Sequence, residues 1–571
     1  KHLFSRYLVF VLVIIGSIIG LIFSIHDRSW LFLAIPSLLL TLVGVYDLIQ
    51  SRHSIRRNYP IIGNLRFIFE AIRPEIRQYF IEDDAENLPF SRLQRSIVYQ
   101  RAKQQIDKRP FGTIKEVYES DYEWINHSMH PAHIEDFDFR IQVGGPQCKQ
   151  PYSMSIFNIS AMSFGALSSN AISALNIGAK LGGFAHDTGE GGISRYHFEG
   201  GGDLIWNIGS GYFGCRDLNG RFNDKVFAEK AAHPSVKMIE LKLSQGAKPG
   251  QGGILPGAKV TAEISLARGV PIGQDCLSPS AHPEFDSPIG LMHFIQRLRN
   301  LSGGKPVGFK LCIGHAWEFF AIAKAMLETK IYPDFIVVDG AEGGTGAAPV
   351  EFSDHVGTPL REGLRLVHNT LVGIGLRQHI KIGAAGKIIS AFDIARTLSL
   401  GADWCNSARG FMFSIGCIQA QACHTDECPT GVATQNPARV KGLDVGNKSE
   451  RVYNFHRNTL QALGEILEAG GLHHPSSLRA HHIVRRVSPT EVKLLSAIYP
   501  ELSEGDLLKG NYRFRLYEVA WPLAKADSFQ PAGSEQSMMN QLNDAYRGAP
   551  PAAKVIPIVP SEEVISLDIR N

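Results

Sequence analysis

The chain has 571 residues, 58 Lys and Arg against 55 Asp and Glu, and a hydrophobic share of 44%. That composition excludes a disordered chain, and the near-neutral balance gives no reason to expect nucleic acid as a partner. Eight cysteines over this length are too sparse for a disulfide scaffold.

The apolar residues are concentrated at the start. Residues 7–25 carry no charge, Asp27 and Arg28 interrupt, and residues 29–46 are again uncharged. Each run is about 18–19 residues, near the roughly 20 that cross a hydrocarbon core as a helix. A transmembrane hairpin is expected over 1–50, with Pro36 inside the second helix and Trp30 and Tyr46 near the interfaces. Lys1 and Arg6 precede the first run, and Arg52, Arg56 and Arg57 follow the second. The positive-inside rule then puts both ends, and the large body that follows, in the cytoplasm. A cleaved signal peptide fits poorly, because no small-residue cleavage site follows and a second apolar run does.

Residues 51–150 read as a juxtamembrane helical region, with helices expected at 67–79 and 92–107 and no motif that carries chemistry. Over 151–440 the texture changes to short apolar runs that end in Gly-rich turns and alternate with helical patterns. Strands are expected at 156–161, 183–186, 237–242, 307–312, 335–338, 380–382 and 402–406. Helices fit 171–181, 260–268, 288–301, 318–329, 361–373 and 391–400. The alternation argues for an α/β fold with a parallel sheet, and seven strands with one unseen fit a (β/α)8 TIM barrel. A doubly wound sheet is the alternative, but no G-x-G-x-x-G follows an early strand. Residues 441–525 read as a helical C-terminal segment. Residues 526–571, rich in Ala, Pro, Ser and Gln, read as an irregular tail.

Cys417, Cys423 and Cys428 follow a C-x5-C-x4-C spacing, with Pro429 after the last. Three thiolates so close in sequence suit an iron–sulfur centre: a three-iron cluster, or a four-iron cluster with an outside ligand. Zinc competes through His424, though no paired C-x2-C spacing occurs. Three glycine-rich strand ends, at 337–346, 382–387 and 406–410, offer backbone N–H groups to a phosphorylated cofactor, as barrels do after their last strands. Lys248 lies in the Gly-rich loop 245–253 and suits a carboxylate or phosphate, and Arg268 supplies a second cation for a dicarboxylate. Glu190, in a Gly-Glu-Gly-Gly turn, is a candidate acid or base. Lys310 interrupts an apolar strand and needs a partner, such as the N1–O2 edge of a flavin.

Several of these motifs together resemble the FMN-binding synthase domain of the glutamate synthase family. They are the segment 161–168 (Ala-Met-Ser-Phe-Gly-Ala-Leu-Ser), the Gly-Glu-Gly-Gly turn, Gln-Gly-Ala-Lys-Pro-Gly at 245–250, Gly-Gly-Thr-Gly-Ala at 343–347 and Cys-His-x3-Cys-Pro-Thr-Gly-Val-Ala-Thr-Gln at 423–435. The resemblance covers roughly 153–470. It implies an FMN-bearing barrel with a [3Fe-4S] cluster on the three cysteines, passing electrons to FMN for hydride transfer to 2-iminoglutarate formed from 2-oxoglutarate and ammonia. It places Lys248 and Arg268 on the 2-oxoglutarate carboxylates and Glu190 near the substrate. It also places Met162, Ser163, Lys310, Gly343, Gly344, Gly386, Ser407 and Arg409 on FMN. In the family's large subunit an amidotransferase domain makes ammonia from glutamine, and the apolar runs stand in its place here. Ammonia is therefore expected free or from a glutaminase partner, and electrons from a ferredoxin or a reductase subunit. Ile254 stands where the family has a substrate-contacting Gln. This leaves a second expectation, an FMN/Fe-S oxidoreductase acting on another keto, imino or amino acid and exchanging electrons with a quinone. The closest resemblance is to short, membrane-anchored glutamate synthase-like proteins.

Overall fold

A computed structural model describes residues 2–81, 83 and 89–547. The chain divides into two compact units, Lys1–Leu93 and Gln94–Asn571.

In the first unit α1 (His2–Ser24) and α2 (Leu31–Ile49) form a hairpin. Its turn is held by Asp27, whose carboxylate accepts the Ser29 N–H at 2.9 Å. Small residues set the helix contact. A Cβ on Gly20 would lie 2.8 Å from the Ala34 backbone, and one on Gly44 would strike the Phe10 ring. The Ser17 and Thr41 hydroxyls meet at 3.0 Å. Both helices are long and apolar enough to cross a membrane. After a short turn of helix (Ser54–Asn58) comes α3 (Gly63–Ile76), which runs into a π-helical turn (Arg77–Ile81).

The helical character expected across 51–150 ends with α4 (Arg92–Ala102). Gln104 then takes a left-handed φ of 56°, which stops a helix short of 107. Beyond it the chain is irregular, apart from short strands such as Glu123–Ile125.

The second unit is built on a closed barrel of eight parallel strands. They are β1 (Phe157–Ile159), β2 (His186–Asp187), β3 (Leu204–Ile208), β4 (Val236–Lys242), β5 (Val307–Leu311), β6 (Phe335–Asp339), β7 (Lys381–Ala385) and β8 (Trp404–Ser407). Runs such as Phe-Ile-Val-Val at β6 are buried on both faces, as parallel strands under a coat of helices must be. The unseen strand is β3, Leu-Ile-Trp-Asn-Ile, buried at every position. Its signal is masked by glycines on either side and by Asn207, a residue that favours turns unless a neighbour satisfies it.

Helices complete each unit. Ser168 caps α5 (Ser169–Gly182) by accepting the Ala171 N–H, and Gly183 (φ 65°) ends it. Thr261 caps the short α6 (Ala262–Arg268) in the same way. The long α7 (Val445–Ala469) packs on α5, where a Cβ on Gly178 would lie 2.5 Å from Val452.

The segment after 441 is not wholly helical. Its hairpin of Ile483–Ser488 and Glu491–Leu494 joins Glu123–Ile125 in a three-stranded antiparallel sheet. The sheet is fastened to the barrel's helical coat through Glu123, which pairs with Arg361 at 2.6 Å, Arg396 at 3.1 Å and Arg485 at 3.7 Å. The tail expected to be irregular from 526 contains a helix, α8 (Glu535–Arg547), and residues 548–571 lie outside the described residues.

Candidate active site at the mouth of the barrel

Parallel closure brings all eight strand ends to one mouth, the face on which barrels of this kind do their chemistry. Gly189 (φ 66°) turns the chain after β2, and a Cβ on it would lie 2.6 Å from the Ser163 nitrogen. The Met162–Ser163 turn thus packs on the Gly189–Glu190 turn. The Glu190 carboxylate fits between Gly209 and Gly253; a Cβ on either would lie 2.7 Å from one of its oxygens.

Lys242, the last residue of β4, pairs with Glu190 at 2.8 Å. Arg268, at the end of α6, donates to the Phe164 carbonyl at 3.1 Å and lies over the Phe213 ring. Its Nε is buried with no partner among the described residues. Lys248 is buried and interacts with Glu190 and Lys242. Burial pushes the Glu190 pKa up, but Lys242, Arg268 and Lys248 outweigh it and hold the carboxyl below its usual range. One carboxylate thus stands among three cations, leaving an excess of positive charge at the mouth.

His282 locks this corner. Its Nε2–H donates to the Lys242 carbonyl at 2.7 Å, so Nδ1 accepts the Tyr212 hydroxyl at 3.0 Å. Burial pushes its pKa down to about 4.

Below the mouth lies a charged floor. Lys310, on β5, is buried, with Nζ 3.9 Å from Glu240 Oε1. Burial opposes its charge, but Glu240, Asp339, Asp187 and Glu190 hold its pKa above the ordinary value. Asn207 Nδ2 donates to Glu240 Oε1 at 2.6 Å, and the Gly189 N–H to Asp187 Oδ1 at 3.0 Å. Glu240 Oε2 finds no donor among the described residues, although its side chain meets that of Asp187. Two carboxyls in contact away from water cannot both be ionised. Burial and Asp187 push Glu240 well above the usual carboxylate range, so the pair holds a proton.

Across the mouth is a second cluster of cations. A Cβ on Gly344 would lie 2.8 Å from Arg409 Nη1, and Arg409 Nη2 donates to the Glu342 carbonyl at 3.0 Å. Burial lowers the Arg409 pKa to about 10. Lys387, beside Gly386, takes a left-handed φ of 50°, and burial and Arg409 push its pKa down. Two half-buried cations that repel each other, edged by glycine backbone, form a cradle suited to an anion such as phosphate. Gly343 lies against the loop of Lys248; a Cβ on it would be 3.4 Å from the Ala247 nitrogen. The Ser407 hydroxyl donates to Ile388 at 2.6 Å, so its proton is used within the protein.

The three cysteines occupy a loop on the same rim. A Cβ on Gly346 would lie 3.1 Å from Cys423 Cβ. Cys417 and Cys423 each interact electrostatically with Cys428. Burial pushes Cys417 up to about 12 and Cys423 up as well. Cys428 goes the other way: the Thr430 hydroxyl and the N–H groups of Ala433, Thr430 and Val432 overcome its burial. That cradle suits an anionic sulfur, as iron–sulfur ligands require. Among the described residues no three His, Cys, Asp or Glu side chains, the three cysteines included, stand close enough to hold a single metal ion.

The mouth therefore gathers the expected Met162, Ser163, Glu190, Lys248, Arg268 and Lys310 on one side. Gly343, Gly344, Gly386, Ser407 and Arg409 stand on the other, with the cysteine loop alongside. Sequence reasoning missed Lys242, Asp187, Glu240 and Lys259. Lys259 is a buried lysine whose Nζ donates to the carbonyls of Cys423 at 2.8 Å and Ala433 at 3.2 Å. Tyr99, on α4, donates its hydroxyl to the Cys417 carbonyl at 2.7 Å, so the region without a motif supports the cysteine loop. A lysine in a Leu-Pro-Gly-Ala-Lys-Val run was the one signal that pointed to Lys259.

A profile of the conserved region in glutamate synthase matches residues 112–473. The glutamate synthase large subunit-like protein YerD of Bacillus subtilis (strain 168) is 38% identical over 495 residues, covering 80% of this chain and 94% of that protein. The archaeal glutamate synthase [NADPH] of Methanocaldococcus jannaschii is 36% identical over 324 residues, covering 57% of this chain and 60% of that one. Among solved structures, a mutant flavocytochrome b2 with pyruvate bound aligns at a TM-score of 0.40 and 11% identity, covering 78% of this chain and 91% of that one. The chain belongs to the glutamate synthase family and is an oxidoreductase of that type.

Proposed function

We propose that the chain binds FMN at the barrel mouth and a [3Fe-4S] cluster on Cys417, Cys423 and Cys428, and that it reductively aminates 2-oxoglutarate to glutamate. The observation that carries this reading is the single carboxylate set among three cations. Lys248, Arg268 and Lys242 match the two carboxylates of 2-oxoglutarate, and the buried Arg268 Nε, which finds no partner among the described residues, is placed to take one. Arg409 and Lys387 fit the FMN phosphate, and Lys310 fits the edge of the flavin ring that becomes anionic. When bound, FMN supplies hydride chemistry and the cluster one-electron transfer. The protein's own part is orientation and charge. Glu190 is held ionised, so it offers a fixed negative charge to a cationic ammonium or iminium group rather than a proton. Lys242 and His282 keep its carboxylate in place.

In this reading ammonia arrives free or from a glutaminase partner, and electrons from a ferredoxin or a separate reductase. The hairpin anchors the chain in a membrane with the barrel in the cytoplasm. Ile254 favours a second reading. It stands exposed in a two-residue strand where the family's Gln would hydrogen-bond substrate, which suits a different keto, imino or amino acid with electrons exchanged with a quinone.

Anaerobically purified protein is expected to show flavin bands with an iron–sulfur shoulder. Its reduced form should reoxidise on adding 2-oxoglutarate with ammonium, and glutamate should appear. Reoxidation only with other keto acids would transfer the assignment to the second reading. Cys423→Ser is expected to lose iron and keep FMN; unchanged iron would remove Cys423 from the ligand set.

A further inference from the structure

The segment after the hairpin has a face that nothing in its own unit covers. Along α3 and the turn that follows it, Leu65, Ile68, Phe69, Ile72, Ile76, Tyr79 and Phe80 recur at i, i+3, i+4, i+7, i+11, i+14 and i+15. At 3.6 residues per turn Leu65, Ile68, Phe69, Ile72 and Ile76 share one face of α3, and Tyr79 and Phe80 follow in the π-helical turn. This stripe faces outward: Phe69 is 61% exposed and Phe80 85%. Arg66, Arg73 and Arg77, at i, i+7 and i+11, run along one edge of it with Glu70 among them. The opposite side is closed from within, because the Phe67 ring lies under the Arg56 guanidinium at 4.2 Å and against His53 at 4.9 Å.

The start of this helix is tied to the end of α2. Asp47, buried near the end of α2, accepts the Ile61 N–H at 2.9 Å and the Asn64 amide at 2.6 Å on one oxygen. The apolar stripe therefore begins where the second apolar helix ends, with Arg52, Arg56 and Arg57 in the connection.

We propose that α3 is an interfacial helix, lying in the surface of an anionic lipid leaflet with its apolar stripe among the acyl chains and its arginine edge in the headgroups. Two features of the chain select lipid as the occupant. The stripe continues from the end of an apolar helix long enough to span, and three arginines along one edge complement anionic headgroups while their stems extend the apolar face. Asp47 is then the pin that turns the chain from the spanning to the lying direction. The proposal rests on the membrane reading of the hairpin and adds a second contact with a lipid preference.

The full chain, reconstituted in vesicles of phosphatidylcholine with or without phosphatidylglycerol, is illuminated with a photoreactive phospholipid and the adducts are mapped by mass spectrometry. Adducts are expected on Leu65, Ile68, Phe69 and Ile72, at least threefold more abundant with phosphatidylglycerol present. Replacing Arg66, Arg73 and Arg77 by Gln should abolish that enhancement and leave labelling of α1 and α2 unchanged. Strong labelling of α1 and α2 with none over 63–81 would overturn the proposal and assign the stripe to a protein surface, whether a second copy or the barrel unit. Labelling of 63–81 without α1 and α2 would support the interfacial helix and refute the spanning hairpin. Absence of both would overturn the two together.

Discussion

Glu240 owes its raised pKa to burial and to Asp187 beside it rather than to its own chemistry. With its Oε2 otherwise lacking a donor and Asp187 in contact, a proton is the cheapest partner available. An amide reproduces that donor. Glu240→Gln is expected to shift the thermal midpoint little, costing about 1 kcal/mol or less, whereas Glu240→Ala opens a cavity and strands Asn207 and Lys310, at about 3 kcal/mol or more. Equal losses in the two variants would mean the pair carries no shared proton. His282 gives a pH prediction of definite sign. Its folded pKa of about 4 lies below the ordinary 6.5, so the unfolded chain binds the proton first. Stability from this group is complete above pH 6.5 and is lost as pH falls toward 4, by an amount on the order of 3 kcal/mol. His197 and His456, both buried and lowered to about 3, add to the same slope. Thermal scans across that window should show His282→Gln with a shallower decline than the parent protein; parallel curves would refute the assignment.

Among the elements, the loop from β4 to α6 does the most. It carries Lys248 near its start, Arg268 closes the helix that follows it, and between them Lys259 reaches the cysteine loop. One ammonium holds two carbonyls, those of Cys423 and Ala433, and the Ala433 N–H points at Cys428. Losing two charge-assisted hydrogen bonds in a buried setting costs about 2–3 kcal/mol, here taken up locally rather than by the barrel. Lys259→Met is therefore expected to raise amide exchange over 417–435 and to lower iron content, with the barrel strands unchanged. Unchanged exchange in that loop would show that Lys259 does not hold it.

At the scale of the molecule, the mouth is a product of closure. Lys248 follows β4, Arg268 ends α6, Glu190 follows β2 and Arg409 follows β8, yet one rim holds them all. Its excess of positive charge belongs to the assembly and to no single loop. If that charge binds a dicarboxylate, Arg268→Gln should raise KM for 2-oxoglutarate about tenfold or more, a loss of roughly 1.4–3 kcal/mol, at unchanged FMN content. A KM that stays within twofold would remove Arg268 from the substrate site.

What was legible in the chain was what local chemistry dictates. Short apolar runs that end in Gly-rich or polar turns marked seven of the eight strands, because a parallel strand must be apolar on both faces and must turn at its end. Cys417, Cys423 and Cys428 were visible because one loop carries all three ligands, and Glu190 and Lys248 because glycines mark the turns that hold them. Strand β3 was hidden, since Asn207 looks like a turn former until Glu240 stands opposite it in the next strand. The pairing of Asp187, Asn207, Glu240 and Lys310 was beyond reach for the same reason. They lie on four strands spread over more than a hundred residues, and only the barrel's register sets them side by side. Residue types and their spacing determined the fold class and the candidate chemistry by themselves. Which charges meet, which carboxyl keeps its proton and which lysine grips the cysteine loop were decided by tertiary structure alone, because electrostatic energy depends on distance through space and not along the chain.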